Sequence, residues 1–316
     1  GIAVALGSAL GSHVSAQSSP HAPWSERTLE LFASLPVQEG GRIKPLDTFA
    51  QFRLLRFNGK RSFKTEGGAK LVPVAWLLDC IFFPAQASSY RTFLVRDQAV
   101  LEAVGIRVAG RKKSDRYTYE ELAPGRLKLF SEAERIRAIE EKKRNGLDSQ
   151  IYALAVNLRD FESLTHALDF TRVELSTGAC PALRARFGDQ PMHGVAGFLG
   201  RIPDLRRTLE DELAALGESE PATEHAAFEE VSNQLAHAVA SSSAFAIFPP
   251  SAANEEEWLY TDGAAERASG DDAPEELALL TDWEALERAK DDPAAAESAH
   301  ATLHGRVTTL AERRGE

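Results

Sequence analysis

The stretch DSQIYALAVNLRDFESLTHALDFT, residues 148–171, carries the clearest structural pattern in this 316-residue chain. Its apolar stripe consists of Ile151, Leu154, Ala155, Leu158, Phe161 and Leu168. Because these residues recur at helical spacing, they share one face of a helix. Asp148 is a suitable N-cap for that helix. The stretch therefore predicts a long amphipathic helix that buries one face.

The residues before this stretch continue the helical pattern. Residues 126–144 show the same spacing and end in Lys142-Lys143-Arg144, directly before Asn145-Gly146. Basic residues in a last turn, with Asn-Gly after it, favour the end of a helix. We expect the two helices to pack as an antiparallel hairpin.

Similar patterns along the chain decide the fold class. Further helices are predicted at residues 24–35, from Pro45 onward, and at 74–83, 196–216, 222–241, 274–290 and 293–313. Short strands are predicted at residues 90–95, 106–108 and 244–248, and a loop at 176–192. The expected fold is mainly α, a multi-helix globular domain with a few short strands.

The chain is expected to divide into four segments. Residues 1–23 form the remnant of a signal or membrane-anchor segment with its linker. Residues 24–171 form a helical domain, and residues 172–243 a helical insertion. Residues 244–316 form a C-terminal part with a strand, an acidic loop and helices that pack back on the domain.

The first residues indicate export. Residues 1–11 are an uncharged apolar run, too short to span a bilayer, and Val14-Ser15-Ala16 follows as a signal-peptidase-like site. The alternative is a buried N-terminal helix. We expect an exported protein, in the periplasm or at the extracytoplasmic face of the inner membrane.

Charge is unevenly distributed along the chain. The formal net charge of −11 argues against nucleic acid as a partner and against general adhesion to anionic lipid. Residues 41–64 hold seven Lys or Arg against one acid, whereas residues 250–300 hold fifteen acids against three bases. We interpret both as solvated surfaces on separate helices; alternatively, they face each other or different partners.

The histidines and cysteines suggest no metal or redox site. His300 and His304 have helical i, i+4 spacing but no third ligand, so solvated positions are expected. His193 follows Met192, and adjacent residues cannot reach opposite faces of one haem iron, so His193 is a weak haem-ligand candidate. Cys80 and Cys180 could form one disulfide, but spacing alone does not establish it.

No motif for catalysis stands out. The sequence contains no C-x-x-C, no P-loop or dinucleotide fingerprint, and no nucleophile elbow. Carboxylates are plentiful, but none has an apolar setting that would tune its pKa for acid–base work. We therefore expect no catalysis by this chain on its own.

One segment is unusual, namely LPVQEGGRIKPLDT at residues 35–48. It places a double glycine, two bases and two prolines between two apolar stripes. We interpret it as a rigid loop that presents Arg42 and Lys44 beside a helix N-terminus, suited to a carboxylate, a propionate or an acidic partner surface. The alternative is a well-capped turn between two helices.

The run LPVQEGGRIKPLDTFA, residues 35–50, resembles the extracytoplasmic segment of System II cytochrome c assembly proteins of the CcsA/ResC type. A second match is AFAIFPP at residues 244–250, followed by Trp258, and WLLD at residues 76–79 fits between them. The family implies a membrane machine that carries haem outward and joins it to apocytochrome c. Its Trp-rich haem-handling loop, flanked by membrane histidines, is missing from this sequence.

The resemblance implies an extracytoplasmic accessory domain that serves haem delivery or apocytochrome docking. Its expected partners are a membrane haem-handling assembly protein and apocytochrome c, with membrane association through flanking segments. No cofactor is expected to bind tightly, and haem would come through the partner system. The expected docking residues are Gln38, Gly40, Gly41, Arg42, Lys44, Pro45, Asp47, Thr48 and Trp258. The alternative function is an exported helical scaffold or ligand-binding protein unrelated to haem.

Overall fold

The computed structural model describes residues 21–107, 110, 112–176, 192–204, 222–242, 244–251, 256–270 and 273–313, with the backbone alone for 222–229. Within these residues the fold is mainly α with short two-stranded sheets, which confirms the predicted fold class. No helix among them is long and apolar enough to cross a membrane.

The helices and strands alternate irregularly along the chain. The helices are α1 (Glu26–Ser34), α2 (Leu46–Asn58), α3 (Pro73–Phe82), α4 (Pro84–Ser88), α5 (Ala99–Ala103), α6 (Tyr119–Leu122), α7 (Arg126–Arg137), α8 (Gly146–Thr165), α9 (Asp169–Arg172), α10 (Val195–Leu199), α11 (Ala222–Ser241), α12 (Thr261–Ala268), α13 (Pro274–Ala289) and α14 (Pro293–Arg313). The strands are β1 (Pro36–Glu39), β2 (Arg42–Pro45), β3 (Phe63–Lys64), β4 (Lys70–Leu71), β5 (Phe93–Val95), β6 (Asp115–Tyr117), β7 (Glu174–Ser176) and β8 (Met192–Gly194). Each odd-numbered strand pairs antiparallel with the next.

Helices α7 and α8 pack on each other as predicted, but their facing ends differ from the prediction. Helix α7 ends at Arg137 and not at Arg144, whose guanidinium instead donates to the Ile139 carbonyl, 3.0 Å away. Asn145, not Asp148, caps α8. The Asn145 side chain accepts from the Asp148 N–H at 2.8 Å, and the Asp148 carboxylate accepts from the Asn145 N–H. This reciprocal capping box fixes the start of the helix.

Two predicted strands are corrected. The strand predicted at residues 90–95 contains β5, which pairs with β6, whereas the described residues of those predicted at 106–108 and 244–248 form no regular strand. Ile106 lies after α5, where its side chain packs beneath Gly125, and Val108 lies outside the described residues. Within residues 244–248, Ala246 bridges to Gln38, and Phe248 to Leu259, as isolated pairs.

The segment after α9 is described only in part. The predicted loop at residues 176–192 lies mostly outside the described residues, and β7 and β8 pair across it. The predicted helix 196–216 begins as α10, and residues 205–221 are not described. Helix α11 matches its prediction. Helix α12 was not predicted, because its buried residues are small and form no large apolar stripe.

The buried apolar side chains of the described residues form one continuous core, from α1 to α14. Helix α3 is buried from Val74 to Phe82, as its almost wholly apolar sequence predicts. Val195, Phe198 and Val231, from the segment predicted as an insertion, join the same core. The first and last described helices, α1 and α14, pack together.

The acidic stretch in α13 is not simply a solvated surface, which corrects the interpretation of residues 250–300. Glu276, Glu284 and Glu287 are buried. A carboxylate of Glu276 accepts from the Ser251 hydroxyl at 2.8 Å, and one of Glu284 accepts from the Ala196 N–H at 2.8 Å. Burial is the main cause that raises the pKa of Glu284. Each buried acid therefore ties α13 to another segment.

We predict that Glu284→Ala lowers the free energy of unfolding by about 1–3 kcal/mol, because it leaves the buried N–H of Ala196 without its acceptor. Glu266→Ala, which removes an exposed acid from α12, is the matched control and should change stability by less than about 0.5 kcal/mol. Urea unfolding monitored by circular dichroism measures both. Equal effects of the two substitutions would contradict the role of Glu284.

Candidate docking site

Residues 35–48 form a β-hairpin rather than the predicted loop. Strand β1 pairs with β2 from Pro36↔Pro45 to Glu39↔Arg42, which leaves a two-residue turn. Gly40 and Gly41 form this turn with φ values of 60° and 72°. A two-residue turn with positive φ at both central positions matches the right-handed twist of paired strands. The double glycine therefore produces a hairpin.

The predicted docking residues near the turn lie mainly on the surface. Arg42 and Pro45 are exposed, and Pro45 is the N-cap residue of α2. Asp47 accepts a hydrogen bond of 2.5 Å from Gln51, and Thr48 is half-buried. The hairpin thus presents the exposed Arg42 guanidinium next to its turn, without an ion-pair partner among the described residues.

Gln38 and Trp258 are in contact, and their hydrogen bond holds the hairpin in place. The Gln38 amide donates to the Glu256 carbonyl and accepts from the Trp258 N–H, both at 3.0 Å. The Gln38 N–H also donates to the Ala246 carbonyl at 3.1 Å. The Trp258 side chain is only 3% exposed. The expectation that Trp258 contacts a partner is therefore corrected, because its indole belongs to the core.

A chain of ion pairs fixes the hairpin to α2 and α8. Glu39 accepts from Lys44 and from Arg53, each at 2.7 Å, and Arg53 also donates to Asp160 at 2.5 Å. Arg56 pairs with the same Asp160 carboxylate. Burial tends to raise the pKa of Glu39, but the Lys44 hydrogen bond and the nearby Arg53 charge outweigh it and lower this pKa. Lys44 is thus committed to Glu39, unlike the free cation that the sequence suggested.

Two exposed apolar side chains beside these ion pairs are not among the docking residues that the sequence predicts. Phe52 is 58% exposed and Leu55 is 36% exposed, on the side of α2 opposite its buried stripe. With Glu39, Arg53 and Arg56 they line an open cleft. The sequence signal was an apolar pair, spaced i, i+3, outside the stripe that α2 contributes to the core.

Two candidate haem or metal ligands from the sequence, His193 and His300, lie in different surroundings. Met192 and His193 are adjacent on β8, so their side chains lie on opposite faces of the strand. His300 is buried, not solvated as expected, and its ring packs edge-on against Phe32 at 4.3 Å. Burial lowers the pKa of His300 to about 3 and thus favours the neutral ring. No group of metal-ligating side chains occurs in the described part of the chain.

A second polar cluster surrounds Asp79, which is 1% exposed. Its carboxylate accepts from His21 Nε2 at 2.8 Å, Trp24 Nε1 at 2.7 Å and the Tyr90 hydroxyl at 2.6 Å. The sequence signal was a single acid in an apolar helix, but its partners could not be inferred. The other nitrogen of His21 faces the Ala22 carbonyl, so both ring nitrogens are engaged. The cluster therefore holds the N-terminal segment, through His21 and Trp24, against α3.

Cys80, next to Asp79, is a free and buried thiol. Burial raises its pKa well above the usual value. Cys180 lies outside the described residues. Cys80 is therefore a core residue in this structure.

We predict that Gly41→Ala lowers the free energy of unfolding by about 1–2 kcal/mol, because an L-residue is strained at φ 72°. No neighbouring atom lies within 4 Å of the added Cβ, so the cost comes from the backbone alone. Gly41→Asn is the control and should cost less, since Asn tolerates this conformation. Thermal unfolding of both variants tests this, and equal losses would contradict the turn geometry.

The His21–Asp79 contact predicts a pH-dependent stability. Burial lowers the pKa of His21, but the hydrogen bond and charge of Asp79 outweigh it and raise this pKa above 6.5. A raised folded-state pKa gives stability that is complete below the unfolded pKa and is lost as pH rises through the folded pKa. His21→Ala should therefore destabilise the protein more at about pH 5.5 than at about pH 8.5.

Urea unfolding at the two pH values checks this expectation. Tyr90→Phe is the control, because it removes another donor from Asp79, and burial, with Asp79, raises the Tyr90 pKa beyond this pH range. Its cost should not change between the two conditions. A His21→Ala cost that is constant, or that grows with pH, would contradict the ion pair.

Comparisons with known proteins add no identification. No family model matches this chain, no curated protein is similar to it, and no solved structure matches it.

Proposed function

We propose that this chain is an extracytoplasmic accessory domain of cytochrome c assembly that acts by docking. The proposed partners are a membrane haem-handling protein and apocytochrome c. The chain itself binds no haem tightly and catalyses no step. The motif at residues 35–48, with its resemblance to System II assembly proteins, is the basis for naming this process.

The observation that carries the proposal is the exposed Arg42 on a fixed hairpin. Arg42 follows a two-glycine turn. Strand β1 is held by Gln38 and Glu39, and β2 pairs with β1 and contributes the Lys44–Glu39 ion pair. A guanidinium on a rigid support loses little conformational freedom when it binds a carboxylate with two parallel hydrogen bonds. The hairpin is therefore suited to an acidic partner surface.

Export is part of the proposal and rests on the N-terminal sequence. The apolar run at residues 1–11 and the Val14-Ser15-Ala16 site favour a protein that crosses the inner membrane. Cytochrome c is assembled on that side in the family that the motif resembles. The location and the motif therefore point to the same process.

We predict that Arg42→Glu lowers cytochrome c maturation several-fold without changing the melting temperature appreciably. An exposed charge contributes only about 0–1 kcal/mol to stability, whereas reversal repels an acidic partner. Haem-stained cytochromes in cells that carry the variant gene measure maturation. Lys128→Glu, an exposed base on α7, is the matched control and should mature cytochromes normally.

Two outcomes count against the proposal. Normal cytochrome levels in the Arg42→Glu strain would exclude the hairpin as the docking element. Normal levels in a strain that lacks the whole chain would favour the alternative of an exported scaffold or ligand-binding protein unrelated to haem.

A further inference from the structure

The outward face of α2 carries an apolar pair that the core does not use. The buried side of this helix already supplies Phe49, Leu54 and Phe57 to the core. Phe52 and Leu55 lie on the other side, 58% and 36% exposed. Positions i and i+3 are neighbours on a helix, so the two side chains form one patch.

The arginine side chains beside this patch are fixed by ion pairs. Arg53 lies between the carboxylates of Glu39 and Asp160, and its guanidinium stacks over the Phe49 ring at 4.9 Å from the centroid. Arg56 is fixed by the same Asp160. Aromatic and arginine side chains on a rigid, partly dry surface are the usual centre of a protein–protein interface.

The charge around the cleft is positive after pairing. The hairpin and α2 carry four cations, namely Arg42, Lys44, Arg53 and Arg56. Against them are three carboxylates: Glu39 and Asp160, which form the ion pairs, and Asp47 of α2, which accepts from Gln51. The surplus lies with Arg42, which has no ion-pair partner in the described structure, and with Arg56, whose side chain is 41% exposed. A complementary ligand therefore brings carboxylates.

We propose that this cleft binds a short acidic and apolar segment of a partner protein. An apolar side chain of that segment packs on Phe52 and Leu55, and flanking carboxylates pair with Arg42 and Arg56. The inference rests on the proposed docking function and names the chemistry of its partner.

Other occupants fit less well. A lipid headgroup would bring phosphate against Glu39 and Asp160, on a chain with a net charge of −11. A second copy in a two-fold contact would set this face against itself, since such an interface uses the same patch on both subunits. Arg42 and Arg56 would then meet like charges, which is unfavourable.

The test places a photo-reactive phenylalanine analogue at position 52 of the full chain in cells. The control carries it at position 127, because Leu127 is 79% exposed on α7. Cross-linked peptides are identified by mass spectrometry. The expected result is an adduct at position 52, absent at 127, with a partner peptide that contains apolar residues and at least two acids.

That peptide is then synthesised, and its binding to the purified chain is measured by fluorescence anisotropy. Phe52→Ala and Arg56→Glu should each weaken binding by about tenfold or more, whereas Leu127→Ala should not. Arg56→Glu also breaks the ion pair with Asp160. Arg42→Glu removes no ion pair in the described structure, so it tests the effect of charge reversal on peptide binding without disturbing Asp160. Circular dichroism confirms that each variant is folded.

The inference is overturned by an adduct with lipid, by an adduct with a second copy, or by equal yields at the two positions. It is also overturned if no adduct forms, or if the peptide lacks acids. Loss of cytochrome c in the Arg42→Glu strain without a position-52 adduct would contradict this inference but not the proposed function. An adduct with an acidic segment of a protein outside cytochrome c assembly would contradict the proposed function but not this inference.

Discussion

Burying a carboxylate costs much free energy unless hydrogen-bond donors replace its hydration, and this constraint organises the molecule. Asp79 is met by donors from the N-terminal segment and from Tyr90, and Glu287 by Arg172 and Lys290. Each buried acid thus specifies which distant segment must lie against it, while the apolar core supplies most of the driving force. Some acids of this acidic chain therefore link distant segments inside the protein.

The hairpin depends on the same rule at the edge of the core. Glu39 is half-buried and satisfied by Lys44 and Arg53, while Gln38 satisfies backbone groups near Trp258. These contacts fix the orientation of β1 and β2 relative to α2, and the Gly40-Gly41 turn remains exposed to solvent. The outward side of α2 lies next to the turn, so a rigid cation and an apolar patch share one surface.

The helices could be predicted because their periodicity is local, and a residue's own neighbours decide it. Helix α8 followed from its apolar stripe, and α3 from its almost continuous apolar run. The hairpin was missed although Gly40-Gly41 signalled it, because Pro36 and Pro45 made the flanking strands look like loop. The burial of His300 and the partners of Asp79 could not be predicted, since both depend on residues far away in the sequence. The exposed pair on α2 lies outside the apolar stripe that marks the core face of this helix.

The bonds made by Gln38 also set the order in which the surface can be completed. Its partners Ala246, Glu256 and Trp258 lie more than two hundred positions later in the chain. Ribosomes make about 5–20 residues per second, so a growing chain spends roughly ten seconds or more with this glutamine unsatisfied. Strand β1 gains its outer edge only after residues 246–258 have been synthesised. A nascent chain therefore cannot offer the finished surface, and recognition of that surface must wait until residues up to Trp258 have left the ribosome.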